Sequence, residues 1–190
     1  MKIGLVGEAP NDTRAIQNLL SKSYQGLEFV ELLKRIDGSM LDNKKAISRL
    51  LRVEYESYKP DLVIFIRDMD GYENDAVKKK ERQATFIYSN RIVNKTGLHL
   101  LNTYELEALI LADIAVFNKE YNCTIQKFDD PMKVWEPKEI LMEASRKSID
   151  PFKVSHNPKL FELLNFDVVK QNCRYFSAFI KKFDTAISKR

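Results

Sequence analysis

Short apolar runs alternate with amphipathic segments along the first half of the chain. The runs have the length and continuity of buried strands and lie at residues 2–7, 27–33, 61–67 and 97–101. Apolar residues at helical spacing predict helices at residues 11–23, 43–58, 75–88 and 103–113. This alternation predicts a doubly wound α/β fold, with about four mainly parallel strands flanked by helices.

The second half of the chain has a different pattern, in which prolines punctuate short helical segments and no strand is evident. These prolines are Pro131, Pro137, Pro151 and Pro158. The last segment, at residues 169–187, predicts a helix with an apolar stripe that packs on a core. The stripe consists of Cys173, Phe176, Phe179, Ile180 and Phe183. We therefore predict an α/β domain at residues 1–113 and a helical extension at 114–190 that packs on the same domain.

Amino-acid composition indicates the cellular compartment of the protein but not the kind of partner that it binds. A net charge of +4, from 31 basic and 27 acidic residues, is compatible with a polyanionic partner without requiring one. The two cysteines form no CxxC motif, so neither a disulfide framework nor a zinc module is expected, and a reducing cytoplasm is the natural location. The N-terminal apolar stretch is too short for a signal peptide, and no run approaches the ~18 residues that span a bilayer. We expect a cytoplasmic protein that does not act in a membrane.

Acidic residues follow two of the predicted strands. Glu8 comes after the first strand, and Asp68 and Asp70 come directly after the third. Parallel strands would bring these acids together at the carboxyl edge of the sheet, where open α/β sheets bind ligands. Because clustered carboxylates repel one another unless a cation lies among them, the pattern predicts a site for a hard divalent metal, Mg²⁺ or Mn²⁺. Asp12 is either a further ligand or an acid placed at a helix N-terminus.

Glu105 and Glu107 follow the predicted fourth strand. In a regular helix, side chains two positions apart point about 200° apart, so both could not face one metal. If the helix begins only after Glu105, either residue can join the site. Glu107 lies in an otherwise apolar stretch, where a solvated charge is less expected, and is therefore the stronger catalytic candidate.

Basic residues follow the acidic turn. They are Lys78, Lys79, Lys80 and Arg82, and they are candidates for contact with a nucleic-acid backbone. Runs of this kind also form ordinary solvated helix faces. The two histidines offer little material for a histidine metal site or a catalytic triad. The chain has no GxxxxGK[ST] or GxGxxG motif, so any ATPase activity would come from a partner.

The acids also resemble the pattern of a known family. A glutamate after strand 1, an acid four positions later and an Asp-x-Asp after strand 3 resemble the Toprim family, over about residues 1–113. In that family the glutamate acts in acid/base chemistry or metal binding, and the Asp-x-Asp holds magnesium. The segment 104–109 and the tail 172–176 resemble a small bacterial Toprim-like group related to the overcoming-lysogenization-defect nucleases.

The resemblance implies a magnesium- or manganese-dependent nuclease that acts on DNA or RNA. By position, Glu8, Asp68 and Asp70 take the catalytic roles of that family, and Glu107 is the further catalytic candidate from its apolar surroundings. The candidate metal ligands are Glu8, Asp12, Asp68, Asp70 and Glu105. Similar small Toprim proteins are associated with ATPase partners in bacterial anti-phage defence, so such a partner is also implied.

Two alternatives stay open at the level of sequence. Ala9 and Pro10 stand where the Toprim pattern usually has a glycine after the glutamate. This departure is a reason to consider a non-catalytic Toprim module that binds nucleic acid or a protein. A metal-dependent nucleotide-sugar transferase is the other alternative, because an Asp-x-Asp also serves metal-diphosphate binding.

Overall fold

Four parallel strands form the central sheet in the computed structural model, which describes residues 1–34, 36, 38–72 and 74–189. The strands are β1 (Lys2–Val6), β2 (Glu28–Glu31), β3 (Leu62–Asp68) and β4 (Gly97–Asn102). Their order across the sheet is β2-β1-β3-β4, and every neighbouring pair is parallel. The predicted four-stranded parallel sheet is therefore confirmed.

Helices cover the sheet and form the C-terminal region. Between the strands lie α1 (Pro10–Ser21), α2 (Gly38–Leu41), α3 (Lys44–Tyr58) and α4 (Ala76–Ile92). After β4 come α5 (Ala108–Ala112), α6 (Ile114–Tyr121), α7 (Pro137–Ser145), α8 (Asn157–Leu163), α9 (Phe166–Asn172) and α10 (Arg174–Ile187). Short 3-10 helices occupy Pro131–Lys133 and Val154–His156. Within the described part of the chain, no helix is both long and apolar enough to cross a membrane.

The two faces of the sheet are covered by different hydrophobic cores. Ile64 and Ile66 of β3 belong to the core shared with α1 and the C-terminal helices, whereas Val63 and Phe65 belong to the core beneath α3 and α4. This division follows from the alternation of side chains along a strand. The predicted apolar stripe of the C-terminal segment is buried in the first core. The division of the chain at residue 113 stays a prediction.

Two predicted helices differ from the observed ones. The segment predicted as a helix from residue 103 is helical only from Ala108, because residues 103–107 form a turn in which the Tyr104 carbonyl accepts the Asp70 N–H at 3.2 Å. The segment predicted as one helix over 169–187 is divided at Cys173. The backbone of Cys173 is extended, and its Sγ caps α10 by accepting the Phe176 N–H at 3.4 Å.

Candidate functional site

The candidate site lies at the carboxyl edge of the sheet, between β1 and β3. The strand order reverses here, because β2 lies on one side of β1 and β3 lies on the other. Such a reversal opens the crevice in which α/β sheets bind ligands. Glu8 lies two residues after β1, and its Oε1 accepts the backbone N–H of Asp68, the last residue of β3, at 3.1 Å. The sheet thus brings Glu8 and Asp68 into direct contact.

Asp68 is the carboxylate most strongly affected by its surroundings. Its neighbour across the β3–β4 pairing is Asn102, whose Nδ2 donates to Asp68 Oδ1 at 2.9 Å. Burial raises the pKa of Asp68 well above its ordinary value, against the effect of the Asn102 hydrogen bond. The charges of Glu8, Glu107 and Asp12 raise the pKa of Asp68 further. Four acids from three parts of the chain therefore lie close enough for their charges to interact here.

Asp12 is held in place by the start of α1. Pro10 occupies the first helical position, where its missing N–H costs nothing. Oδ2 of Asp12 accepts the backbone N–H of Ala9 at 3.0 Å. Burial raises the pKa of Asp12 to about 7, and the charges of Glu107 and Glu8 add to this effect. The Ala9-Pro10 sequence thus forms a capped helix start that presents a carboxylate to the site.

Glu107 enters the site from the turn that precedes α5. It is only 4 % exposed, and its Oε1 accepts a hydrogen bond from Nδ2 of Asn157 at 2.8 Å. Burial raises the pKa of Glu107, while the Asn157 hydrogen bond lowers it. Asn157 is the first residue of α8, so the C-terminal region contributes directly to the site.

Asp70 and Glu105 face cationic partners. Strand alternation would place Asp70 on the same face as Asp68. Asp70 instead has a left-handed backbone with φ 51°, and its Oδ2 accepts from Arg82 Nη2 at 3.0 Å. Oε1 of Glu105 accepts from Lys138 Nζ at 2.8 Å, and Oε2 accepts the Lys138 backbone N–H at 3.1 Å. Both residues are thus paired with a cation, although the Glu105 charge still contributes to the raised pKa of Glu107, after burial.

The predicted basic stretch divides into two groups. Lys78 Nζ donates to the Asp70 carbonyl at 2.5 Å, and Arg82 Nε donates to the Asp68 carbonyl at 3.0 Å. These two side chains hold the acidic loop in place. Lys79 and Lys80 are exposed on α4.

Arg67 is a site residue that our sequence analysis missed. It is 7 % exposed, and its Nε lies 2.9 Å from Glu8 Oε1. Its Nη2 donates to the two carboxylate oxygens of Asp42 at 3.1 and 3.2 Å. The sequence feature that could have identified Arg67 is its place at the end of an apolar strand that is buried on both faces. A charge in such a place needs a partner of opposite charge.

Asn102 and Asn157 were missed as well. Both are fully buried, and each donates its amide to a site carboxylate. Among the described residues, no partner hydrogen-bonds to the Oδ1 atoms of these asparagines or to Oγ1 of Thr103. Buried polar atoms without a partner in the protein usually bind a water molecule, an ion or a ligand. Asn102 could have been predicted as a site residue from its position at the end of β4. Asn157 could not, because the sequence Asn157-Pro158 indicates only a turn.

The chemistry of these residues fits a hard divalent cation. Carboxylate and amide oxygens are its preferred ligands, and a cation would relieve the mutual repulsion that adds to the effect of burial on the carboxylate pKa values. Within the part of the chain that the structure describes, no three His, Cys, Asp or Glu side chains are placed closely enough to hold a metal. The carboxylates therefore have to draw together for an ion to bind.

We expect Asp12 to make the cation-free protein less stable as the pH rises from about 4 to about 7. Its folded pKa is about 7 against an ordinary 3.8, so the unfolded chain releases this proton at lower pH. A raised carboxylate pKa therefore lowers the free energy of unfolding across this window and changes it no further above it. One pKa unit corresponds to about 1.4 kcal/mol, and solvent weakens the effect, so the contribution is on the order of 2 kcal/mol.

The variant Asp12→Asn tests this expectation. It keeps an oxygen that accepts the Ala9 N–H but has no carboxyl proton to lose. Its free energy of unfolding, measured by urea denaturation with EDTA at several pH values, should fall less steeply than that of the wild type. Asp129→Asn changes an exposed aspartate in the loop after α6 and should follow the wild type. Parallel curves for Asp12→Asn and the wild type would contradict the raised pKa.

Comparison with known proteins gives a family without an assigned activity. A family model described as a domain of unknown function, DUF4276, matches residues 8–184. No curated protein and no solved structure matches the chain. The matched range includes the carboxylates of the site as well as Arg67, Asn102 and Asn157.

Proposed function

The chain belongs to the DUF4276 family, whose description names no activity, and we propose that it is a divalent-metal-dependent phosphodiester hydrolase of Toprim type. The observation that carries the proposal is the group Glu8, Asp12, Asp68 and Glu107 at the carboxyl edge of the sheet. Burial raises the pKa of Asp12 and of Asp68, and the charges of neighbouring acids in this group raise it further. Mg²⁺ or Mn²⁺ would neutralise this charge, and DNA or RNA is the proposed substrate.

The carboxylates of Glu8, Asp12 and Asp68 are the proposed ligands of the ion. The Asp68 backbone N–H donates to Glu8 Oε1 at 3.1 Å, and the charges of both Glu8 and Asp12 act on the Asp68 carboxylate. A bound ion would polarise a phosphoryl oxygen and lower the pKa of its water. Glu8 is either a ligand or the general base. Asn102 orients Asp68 through its amide N–H, and Asn157 does the same for Glu107.

Arginine supplies the positive charge that a phosphoryl-transfer site needs. Nη1 of Arg67 is buried and has no hydrogen-bond acceptor among the described residues, whereas Nε faces Glu8 Oε1 at 2.9 Å. Guanidinium N–H groups match phosphate oxygens in geometry and charge. We therefore assign Arg67 to offset the charge that builds on the phosphate, while the exposed Lys79 and Lys80 would contact the backbone farther along the strand.

A manganese experiment tests the proposal without knowledge of the natural substrate. Crystals soaked in millimolar Mn²⁺ should show an anomalous peak among Glu8, Asp12 and Asp68. The same protein should cleave labelled DNA or RNA with Mn²⁺ and not with EDTA. Absence of both the peak and the cleavage would overturn the proposal.

A non-catalytic module that binds nucleic acid or a protein is the second candidate. It is favoured by the ion pair between Arg67 and Glu8, since the guanidinium offsets the Glu8 charge without a metal. This candidate predicts nucleic-acid binding that depends steeply on salt, is indifferent to EDTA and leads to no cleavage in the manganese experiment.

The Toprim resemblance also suggests a cellular role for the protein. We propose that it works with an ATPase partner, acts in anti-phage defence and is located in the cytoplasm. Cys123 and Cys173 are free thiols, which supports a reducing compartment. The proposed partner and role depend on the resemblance alone.

A further inference from the structure

Tyr72, Tyr104 and Trp135 form an aromatic platform beside the carboxylates. The rings of Tyr72 and Trp135 stack, with centres 4.7 Å apart and planes inclined by 29°. These two residues are 57 % and 49 % exposed. Tyr104 is buried and meets both rings edge-on, at 5.8 and 5.3 Å. Stacking covers one face of each ring, so the two partly exposed residues each keep an outer ring face that the other ring does not cover, on a buried support.

The platform belongs to the same edge of the sheet as the acids. Tyr72 follows Asp70 by two residues, and the Tyr104 carbonyl accepts the Asp70 N–H at 3.2 Å. On the other side, Lys138 lies three residues after Trp135 and forms its ion pair with Glu105 at 2.8 Å. The Glu105–Lys138 pair therefore fastens the Trp135 segment to the turn that follows β4.

An open cavity of about 510 Å³ lies on the platform. Its lining consists of the three aromatic residues with Asn74, Lys79, Met132 and Lys133. Lys79 and Lys133 are exposed, and no described carboxylate forms an ion pair with either. An outer aromatic face in a cavity that two lysines also line offers a stacking surface for a base and positive charge for the neighbouring phosphates.

We propose that the aromatic platform stacks with an unpaired base, so that single-stranded nucleic acid is the substrate class of the site. Every base has an aromatic face, and stacking on Tyr and Trp is a general means of holding single strands. A base within a duplex is already stacked on both faces and cannot extend the stack of Tyr72 and Trp135. The flanking lysines favour a polyanion over a protein partner at this surface. The assignment of a substrate rests on the proposed nuclease function, whereas the binding itself does not.

Trp135 supplies the measurement, because it is the only tryptophan of the chain. Titration with oligothymidylate or oligouridylate in EDTA should quench its fluorescence to saturation. A duplex of equal length should quench it little at the same degree of binding, which fluorescence anisotropy of the labelled duplex measures. Quenching by either single strand supports the inference, and the stronger quencher identifies the nucleic acid.

Variants at half-exposed positions test the platform without disturbing the core. Tyr72→Ala should weaken single-strand binding on the order of 10-fold, and Tyr72→Phe should retain it. Trp135→Ala, followed by anisotropy, should weaken binding to a similar degree. Tyr58→Ala removes a tyrosine of comparable exposure, 46 %, from the end of α3 and should bind as the wild type does.

The outcomes separate the platform from the nuclease. Unchanged single-strand binding in both Tyr72→Ala and Trp135→Ala, or no quenching by either strand, would overturn the platform. Because EDTA removes divalent cations, these results are independent of cleavage. Quenching by single strands without Mn²⁺-dependent cleavage would support the platform and count against the proposed nuclease function.

Discussion

The variant Asp68→Asn is expected to lose metal-dependent cleavage while its fold is retained. Asparagine keeps an oxygen that accepts the Asn102 hydrogen bond, which measures 2.9 Å in the wild type. It removes the charge that would hold the ion against the phosphate. A loss of about 4 kcal/mol of charge stabilisation corresponds to about 1000-fold in rate. Cleavage of a labelled strand with saturating Mn²⁺, compared with the wild type at equal protein concentration, measures the loss.

The stability of Asp68→Asn provides a second measurement on the same protein. Burial and the neighbouring acids raise the Asp68 pKa, so its ionised form destabilises the fold near neutral pH. Removing the charge is therefore expected to leave the free energy of unfolding in EDTA unchanged or increased. Loss of activity together with loss of stability would point to a structural defect and contradict the assigned role.

Asp70→Asn is the matched control, because it makes the same change two residues later. The Asp70 side chain is 53 % exposed and pairs with Arg82, and its charge is not among the main causes of the raised Asp68 pKa. We expect its cleavage rate to stay within about 10-fold of the wild type, as for an exposed ion pair of low energy. If Asp70→Asn abolishes cleavage and Asp68→Asn does not, the ligand assignment is wrong.

The sheet could be predicted because each strand has a recognisable pattern of apolar residues in its own short segment of sequence. The segment 62–66 of β3 is entirely apolar, as a strand buried on both faces requires. The turn at residues 103–107 could not be predicted in this way. Its residues favour a helix, but the Tyr104 carbonyl is engaged by the Asp70 N–H, a contact between segments distant in sequence. Local patterns contain no information on such a contact.

The site was predictable where strand geometry places a residue, or where an acid stands out from its local sequence, as Glu107 does in an apolar stretch. Glu8 and Asp68 end neighbouring parallel strands, so the topology brings them together. Asp70 departs from this rule because its positive φ interrupts the alternation of side chains. Asn157 reaches Glu107 through the packing of the C-terminal region on the sheet, which the sequence pattern around Asn157 does not specify.

The variant Arg67→Met is expected to produce the largest loss of stability at the site. Arg67 is 7 % exposed and is in contact with Glu8 at 2.9 Å and with Asp42 at 3.1 Å. Methionine fills a similar volume but leaves Glu8 beside other acids without its cation. Removing one partner of a buried pair costs about 3–5 kcal/mol, and the partial exposure of Glu8 and Asp42 reduces this to about 3 kcal/mol. Urea denaturation at neutral pH in EDTA measures the change.

A double variant shows whether this loss arises from the pair itself. In Glu8→Gln with Arg67→Met, the acid that lost its partner is neutral, so we expect at least about 1 kcal/mol of the loss to be recovered. Mn²⁺ should also stabilise Arg67→Met more than the wild type, because the ion no longer competes with a guanidinium for Glu8. Additive effects of the two substitutions, together with equal stabilisation by Mn²⁺, would show that Arg67 acts through packing and not as the internal counterion of the site.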